Sequence, residues 1–127
     1  MPKKEIVDGS FAAGNANLSP ATRFGNLVFV SGQVGRHPET GEVGQGIQEQ
    51  TRIVLERIRA ILEAAGTSLD NVLTVTSYVT MRENLPAYNE EYAKYFTKDK
   101  PARTSVIANL GSADLLVEIT VTACIPD

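Results

Sequence analysis

The sequence predicts an α+β domain in which two amphipathic helices pack on one face of a β-sheet. Three observations carry this expectation. Apolar residues recur at helical spacing from Ile47 to Ala65 and again from Leu85 to Phe96. β-branched and aromatic runs flank those stretches in the order β-α-β-α-β-β. No repeat, low-complexity tract or linker interrupts the 127 residues, so a single domain over 1–127 is expected. An apolar helix stripe and an apolar sheet face bury one another, which gives the layered architecture.

The segment up to Arg23 is rich in Gly, Ala, Asn, Ser and Pro and reads mostly as an extended arm or loop. Asn26 to Val34 reads as a strand buried on both faces, closing with Ser31-Gly32-Gln33-Val34. Gly35 to Gly46 is a loop or irregular hairpin with a turn at Pro38-Glu39-Thr40-Gly41. The helix from Ile47 to Ala65 carries Ile47, Thr51, Val54, Leu55, Ile58, Ile61 and Leu62 on one stripe, and Gly66 stops it. Twenty such residues span roughly 30 Å, enough to cover a sheet face. Val72 to Thr80 alternates as a strand with one wetter face, Val72, Thr74, Thr76, Tyr78 and Thr80. Asn84 is placed to cap the second helix, whose apolar side is Leu85, Tyr88, Tyr92, Tyr95 and Phe96. After a charged turn at Lys98 to Pro101, strands follow at about Thr104–Asn109 and Leu115–Ile125. The last strand sets Leu115, Val117, Ile119, Val121 and Ala123 against Leu116, Glu118, Thr120, Thr122 and Cys124.

Composition narrows the chemistry. A 43% hydrophobic and 21% charged chain is that of a globular protein. A net charge of −3 argues against general nucleic-acid binding, which needs a basic surface. Cys124 and His37 are each the sole residue of their type, which removes disulfides, Ser-His-Asp and Cys-His triads within one chain, and multi-histidine metal sites. No signal-peptide core and no apolar run of membrane-spanning length is present, so a cytoplasmic setting and no membrane partner are expected.

Arg and carboxylate remain. Arg103 follows Pro101-Ala102 at a strand entry that the proline ring stiffens. Its guanidinium suits bidentate capture of a carboxylate, against the plainer reading of a surface ion pair. Glu118 is the only charge in the run from Leu115 to Ile125, so it must be paired, hydrated or protonated; the plainer reading is an edge or interface salt bridge. The two residues lie on elements joined by a short connection, and antiparallel pairing of those strands is one way to bring both to one end of the sheet. Ser31-Gly32 could present amides to an anion or simply form a turn. Asn89 flanks an apolar stripe and is either a polar contact or a solvated residue. Tyr88, Tyr92 and Tyr95 read as packing, Glu90-Glu91 as a solvated helix face, and Cys124 as buried and inert.

Taken together, Gly25 to Val34, Pro38 to Val43, Gln50-Thr51-Arg52, Leu62 to Asp70, Tyr88-Asn89-Glu90-Glu91-Tyr92, Tyr95-Phe96, Pro101-Ala102-Arg103 and Val117-Glu118-Ile119 resemble the reactive-intermediate deaminase family, also called RidA, YjgF or L-PSP endoribonuclease-like. The resemblance implies a chorismate-mutase-like α+β fold, assembled as a barrel-like homotrimer with clefts between subunits. It implies hydrolysis of enamine or imine intermediates, such as 2-aminoacrylate, to 2-keto acids and ammonia, with no cofactor. Carried onto this chain, Arg103 would bind the substrate carboxylate and Glu118 would handle the attacking water. Ser31, Gly32, Asn89, Thr104 and Ser105 would contact substrate or water. Three places depart from the family pattern: Leu18-Ser19-Pro20 where a Tyr is usual, Ser105 where Cys is frequent, and Asn109 to Ala113 in place of Leu-Pro-Lys. The alternatives are a non-catalytic protein that senses keto acids and, from the older family name, a ribonuclease or translation inhibitor.

Overall fold

A computed structural model describes residues 1–7 and 17–127. Six strands, β1 (Glu5–Val7), β2 (Ala21–Phe24), β3 (Leu27–Val34), β4 (Val72–Val79), β5 (Ala102–Ile107) and β6 (Val117–Cys124), form one sheet in the order β1-β2-β3-β6-β4-β5. Every neighbouring pair is antiparallel except β4 and β5. Helices α1 (Gly46–Ala64) and α2 (Leu85–Tyr92) connect β3 to β4 and β4 to β5. Both lie on the same face of the sheet, as the periodicity predicts.

The core is the contact between that face and α1. Val54, Leu55, Ile58, Ile61 and Leu62 from the helix meet Val28, Val30, Val75, Val117, Ile119 and Val121, all buried. Burying a Leu or Ile side chain is worth about 1.5–3 kcal/mol, so this stripe supplies most of what holds the helix down. At the helix exit, Thr67 N donates to Leu62 O at 2.9 Å and Gly66 N to Glu63 O at 3.1 Å, closing the last turn where Gly66 predicts it. At its start the Glu49 carboxylate accepts from Gln45 N at 2.6 Å.

Several expectations are corrected. The segment to Arg23 is not all loop: β1 and β2 lie in it, and its residues 8–16 fall outside the described residues. The overlooked signal is Gly25-Asn26, a two-residue hairpin turn with Gly25 at φ +60° between the paired residues Phe24 and Leu27. Strand β3 is buried on one face only, not both, since Phe29 remains 44% exposed. In β4 a register shift between Val72 and Thr74 puts Val72 in the core and leaves Leu73 45% exposed, so the alternation holds only from Thr74 onward. Helix α2 ends at Tyr92, is preceded by a 3₁₀ turn over Arg82–Asn84, and takes no side-chain cap from Asn84. Glu91, read as solvated, is buried and held by Lys94 Nζ at 3.0 Å. Among the described residues no helix is long and apolar enough to cross a membrane.

Candidate functional site

The open face of the sheet, away from the helices, carries the first cluster. Its centre is a β-bulge in β3: between Val30 and Gln33 the strand advances three residues while β6 advances two, from Val121 to Ile119. The extra residue lies in Ser31-Gly32, and bulges of this kind re-aim the backbone beside functional sites. Three bonds fix it. Ser31 Oγ donates to Ser19 O at 2.6 Å, Ser31 N to Pro20 O at 2.9 Å, and Gln33 Nε2 to Ser31 O at 2.9 Å. Gln33 is buried on the helix side, where its Oε1 accepts from Arg57 Nε of α1 at 3.1 Å. A helix arginine thus holds the glutamine that holds the bulge.

Gly32 backs onto Glu118. A β-carbon at position 32 would collide with Glu118 Oε2 and lie 3.1 Å from its Cδ and 3.2 Å from Thr120 Oγ1. Glu118 stands in register with Val34 of β3 and Tyr78 of β4, half-buried, and among the described residues it has no ion pair or hydrogen bond. Burial pushes its carboxyl above the usual range, because desolvation disfavours the charged form.

The second cluster lies on the other face. Arg103 of β5 pairs in register with the buried Val75, and its guanidinium carbon sits 4.6 Å from the Tyr92 ring centroid and 5.6 Å from that of Tyr88. Cation–π stacking of this kind is worth about 0.5–2 kcal/mol and orients the fork. Tyr88 is fully buried and shares a short hydrogen bond with Ser77 Oγ of β4. Burial raises both phenols, Tyr92 to about 12, with the Arg103 charge opposing the rise. Both therefore remain neutral platforms at physiological pH. Beside Arg103 is a cavity of about 350 Å³ lined by Asn89, Tyr92, Phe96 and Lys100 among others.

The strands of Arg103 and Glu118 are not neighbours, so the antiparallel pairing that their short connection allows is not the one formed. β4 lies between β5 and β6, and the two side chains belong to opposite faces of the sheet. The reason is the parallel β4–β5 pairing, which the α2 crossover imposes and which sends the chain past β4 before it returns as β6. Gly32, beside Ser31, packs against Glu118, and Asn89 lines the same cavity as Arg103. Thr104 pairs with Thr76 on the open face, and Ser105 pairs with Ser77 on the face of Arg103. Tyr88 and Tyr92 pack in the core, as their apolar stripe predicts, and in addition form an aromatic platform under Arg103, for which their spacing of one helical turn is the available signal.

Residues 10–125 match the family described as Endoribonuclease L-PSP. A RutC family protein of Pyrococcus horikoshii is 47% identical over 102 residues, which cover 80% of this chain and 81% of that one. Among solved structures, RidA from an Antarctic Psychrobacter superposes with a TM-score of 0.89 at 32% identity, covering 95% of this chain and 99% of the other. E. coli TdcF with bound serine gives a TM-score of 0.88 at 30% identity, covering 94% and 98%.

Proposed function

The chain belongs to the RidA/YjgF/L-PSP family, and from that premise we propose that it hydrolyses small 2-imino acids and their enamine tautomers to 2-keto acids and ammonia, in clefts between the protomers of a homotrimer. The observation that carries this reading is the placement of Arg103 and Glu118 on opposite faces of one sheet, each without a counter-charge. Neither half of the chemistry is complete in one protomer. A neighbour that lays its open face against the β5 edge completes both. That edge supports such packing: all six residues of β5 are exposed, with Val106 and Ile107 among them. An apolar, unpaired edge strand is a docking surface in a protein that survives in solution.

The reaction asks little of the protein. An imine carbon is already electrophilic, so the site has to orient it and deliver water. Arg103, held flat on Tyr92, grips the substrate carboxylate through its fork. With the imine nitrogen protonated as the iminium, into which the enamine tautomer passes by taking a proton from solvent at C3, Glu118 takes a proton from water as the oxygen attacks C2, giving a neutral carbinolamine. It returns that proton to the nitrogen as the C–N bond breaks and ammonia leaves, and the carbinol proton goes to solvent as the keto group forms. General base catalysis of this kind contributes about 10²–10⁴-fold. Gly32 leaves the room in which the carboxylate sits. The serine bound to TdcF, a small amino-carboxylate, supports a ligand of this class.

Leu18 favours a second reading, binding of keto acids without turnover. It stands 47% exposed next to Ser19, whose carbonyl holds Ser31, and offers no hydroxyl to the site. Enamine generated in place by a serine dehydratase separates the readings: keto-acid release is timed with and without this protein. Acceleration that disappears in Arg103→Ala and Glu118→Ala is expected. Mixing the two variants after joint refolding should restore turnover at about a quarter of the sites, because each intact site draws one group from each neighbour. Binding without acceleration favours the sensor, and failure to complement places the site within one protomer.

A further inference from the structure

Arg103 is not the only cation facing its cavity. Lys100 lines the same space of about 350 Å³, three residues earlier and on the other side of Pro101. Among the described residues neither cation has an ion-pair partner. No carboxylate lines the cavity; its remaining wall includes Asn89, Tyr92 and Phe96. Asp99, the chain neighbour of Lys100, occupies the turn at φ +49° and is not part of that wall.

Two like charges that share a small cavity with aromatic walls raise each other's free energy, and a ligand with one negative charge relieves only half of that. The two cations differ in kind. Arg103 is a rigid fork seated on an aromatic ring, suited to a carboxylate whose orientation matters. Lys100 is a point charge on a flexible stem, suited to one whose distance matters more than its angle. Pro101 between them restrains the backbone that separates the two stems. The volume equals roughly a dozen waters, room enough for a ligand of about nine or ten heavy atoms.

Building on the deaminase reading of this site, we propose that its preferred ligands are dicarboxylates of four or five carbons: 2-imino acids, and the corresponding keto acids, that carry a second carboxylate at the far end. Arg103 takes the carboxylate beside the reacting carbon. Lys100 takes the distal one, and the methylene link lies over Tyr92 and Phe96. Lys100 is then the residue that determines specificity, while Arg103 serves every substrate.

Calorimetric titration of the assembled protein with oxaloacetate and 2-oxoglutarate, against pyruvate and 2-oxobutyrate, tests this. The dicarboxylates should bind roughly tenfold more tightly, one added charge-assisted contact. Lys100→Ala should erase most of that preference, and Lys100→Glu should invert it. Lys98→Ala, an exposed lysine outside the cavity, should keep it. In steady-state assays the loss in Lys100→Ala should fall on KM for 2-iminosuccinate rather than on kcat. Equal affinity for both classes, or a preference that survives Lys100→Ala, overturns the inference and leaves the deaminase reading standing. If no keto acid of either class binds, both fail together.

Discussion

Gly32 and Glu118 are in direct contact across β3 and β6, so close that the backbone of one leaves no room for a side chain beside the carboxylate of the other. The bulge at Ser31-Gly32 therefore does two things at once: it turns the strand and it opens the space that Glu118 occupies. Gly32→Ala is expected to displace the carboxylate. The strain of forcing a methyl group into a filled site is about 1–3 kcal/mol, less whatever Glu118 recovers by swinging away. Turnover should fall at least tenfold with the melting temperature only a few degrees lower, as read by keto-acid release and differential scanning calorimetry.

Glu118 predicts a pH signature with a definite sign. Its folded pKa lies above the unfolded value, so the native state holds this proton more tightly than the unfolded chain does. Stability from this group is complete below the unfolded pKa, about 4.3, and is lost as pH rises through the folded value. Glu118→Gln removes the dependence. The variant should melt higher than the parent at pH 7, and the difference should shrink toward zero near pH 4. A parent that is the more stable at pH 7 contradicts the assignment. In kinetics, the acid limb of kcat/KM should fall above the usual carboxylate range and disappear in the same variant.

The ring of Tyr92 supports the Arg103 fork, and its hydroxyl makes a polar contact with the same guanidinium. Tyr92→Phe keeps the stack and loses that contact, so carboxylate affinity should fall by about two- to tenfold, while Tyr92→Leu, which loses both, should weaken it further, to about thirtyfold. Arg103→Lys should lose more than either, because an ammonium cannot make the paired hydrogen bonds. Calorimetry with pyruvate measures all three.

Gln50 is buried and fully used: its Nε2 donates to Gly44 O at 3.1 Å and Asp114 O at 3.0 Å, and its Oε1 accepts from Leu116 N at 2.8 Å. It ties the loop before α1 to the chain entering β6, one residue ahead of the strand that carries Glu118. Gln50→Leu keeps the volume and orphans three backbone groups. A cost of about 3 kcal/mol is expected, visible as a lower urea midpoint with an unchanged slope.

The β5 edge carries the prediction for assembly. Val106→Lys places a charge on the open face of an exposed edge strand and, if the proposed trimer packs through β5, should convert it to monomer in sedimentation velocity, with turnover lost in parallel. A variant that stays assembled and active removes β5 from the interface.

Much of the fold was legible because each helix and most strands announce themselves by a local period. The 3.6-residue stripe of α1, the Gly66 stop and the two-faced β6 need no knowledge of what lies opposite. β1 and β2 escape the sequence reading because runs of three and four residues are too short to show a period, and their strand character comes from pairing, β1 with β2 and β2 with β3. The inversion at Val72 and Leu73 escaped for a related reason: a bulge changes which face a residue takes without changing the residues.

At the site the division is similar. Glu118 stood out as one charge in an apolar strand, and Arg103 by its place after Pro101. The platform under Arg103, the contact of Gly32 with Glu118 and the second cation at Lys100 join residues that lie 3 to 86 positions apart along the chain.

By itself, then, the chain's order of residues determined one α+β domain, the layer that each helix covers, and a guanidinium and a carboxylate set among apolar neighbours. Only the tertiary structure decided that β4 separates the strands bearing them and that they face opposite ways. Periodicity acts within an element, through bonds a few residues long, whereas strand order and facing follow from crossover connections and bulges whose energies depend on the whole sheet.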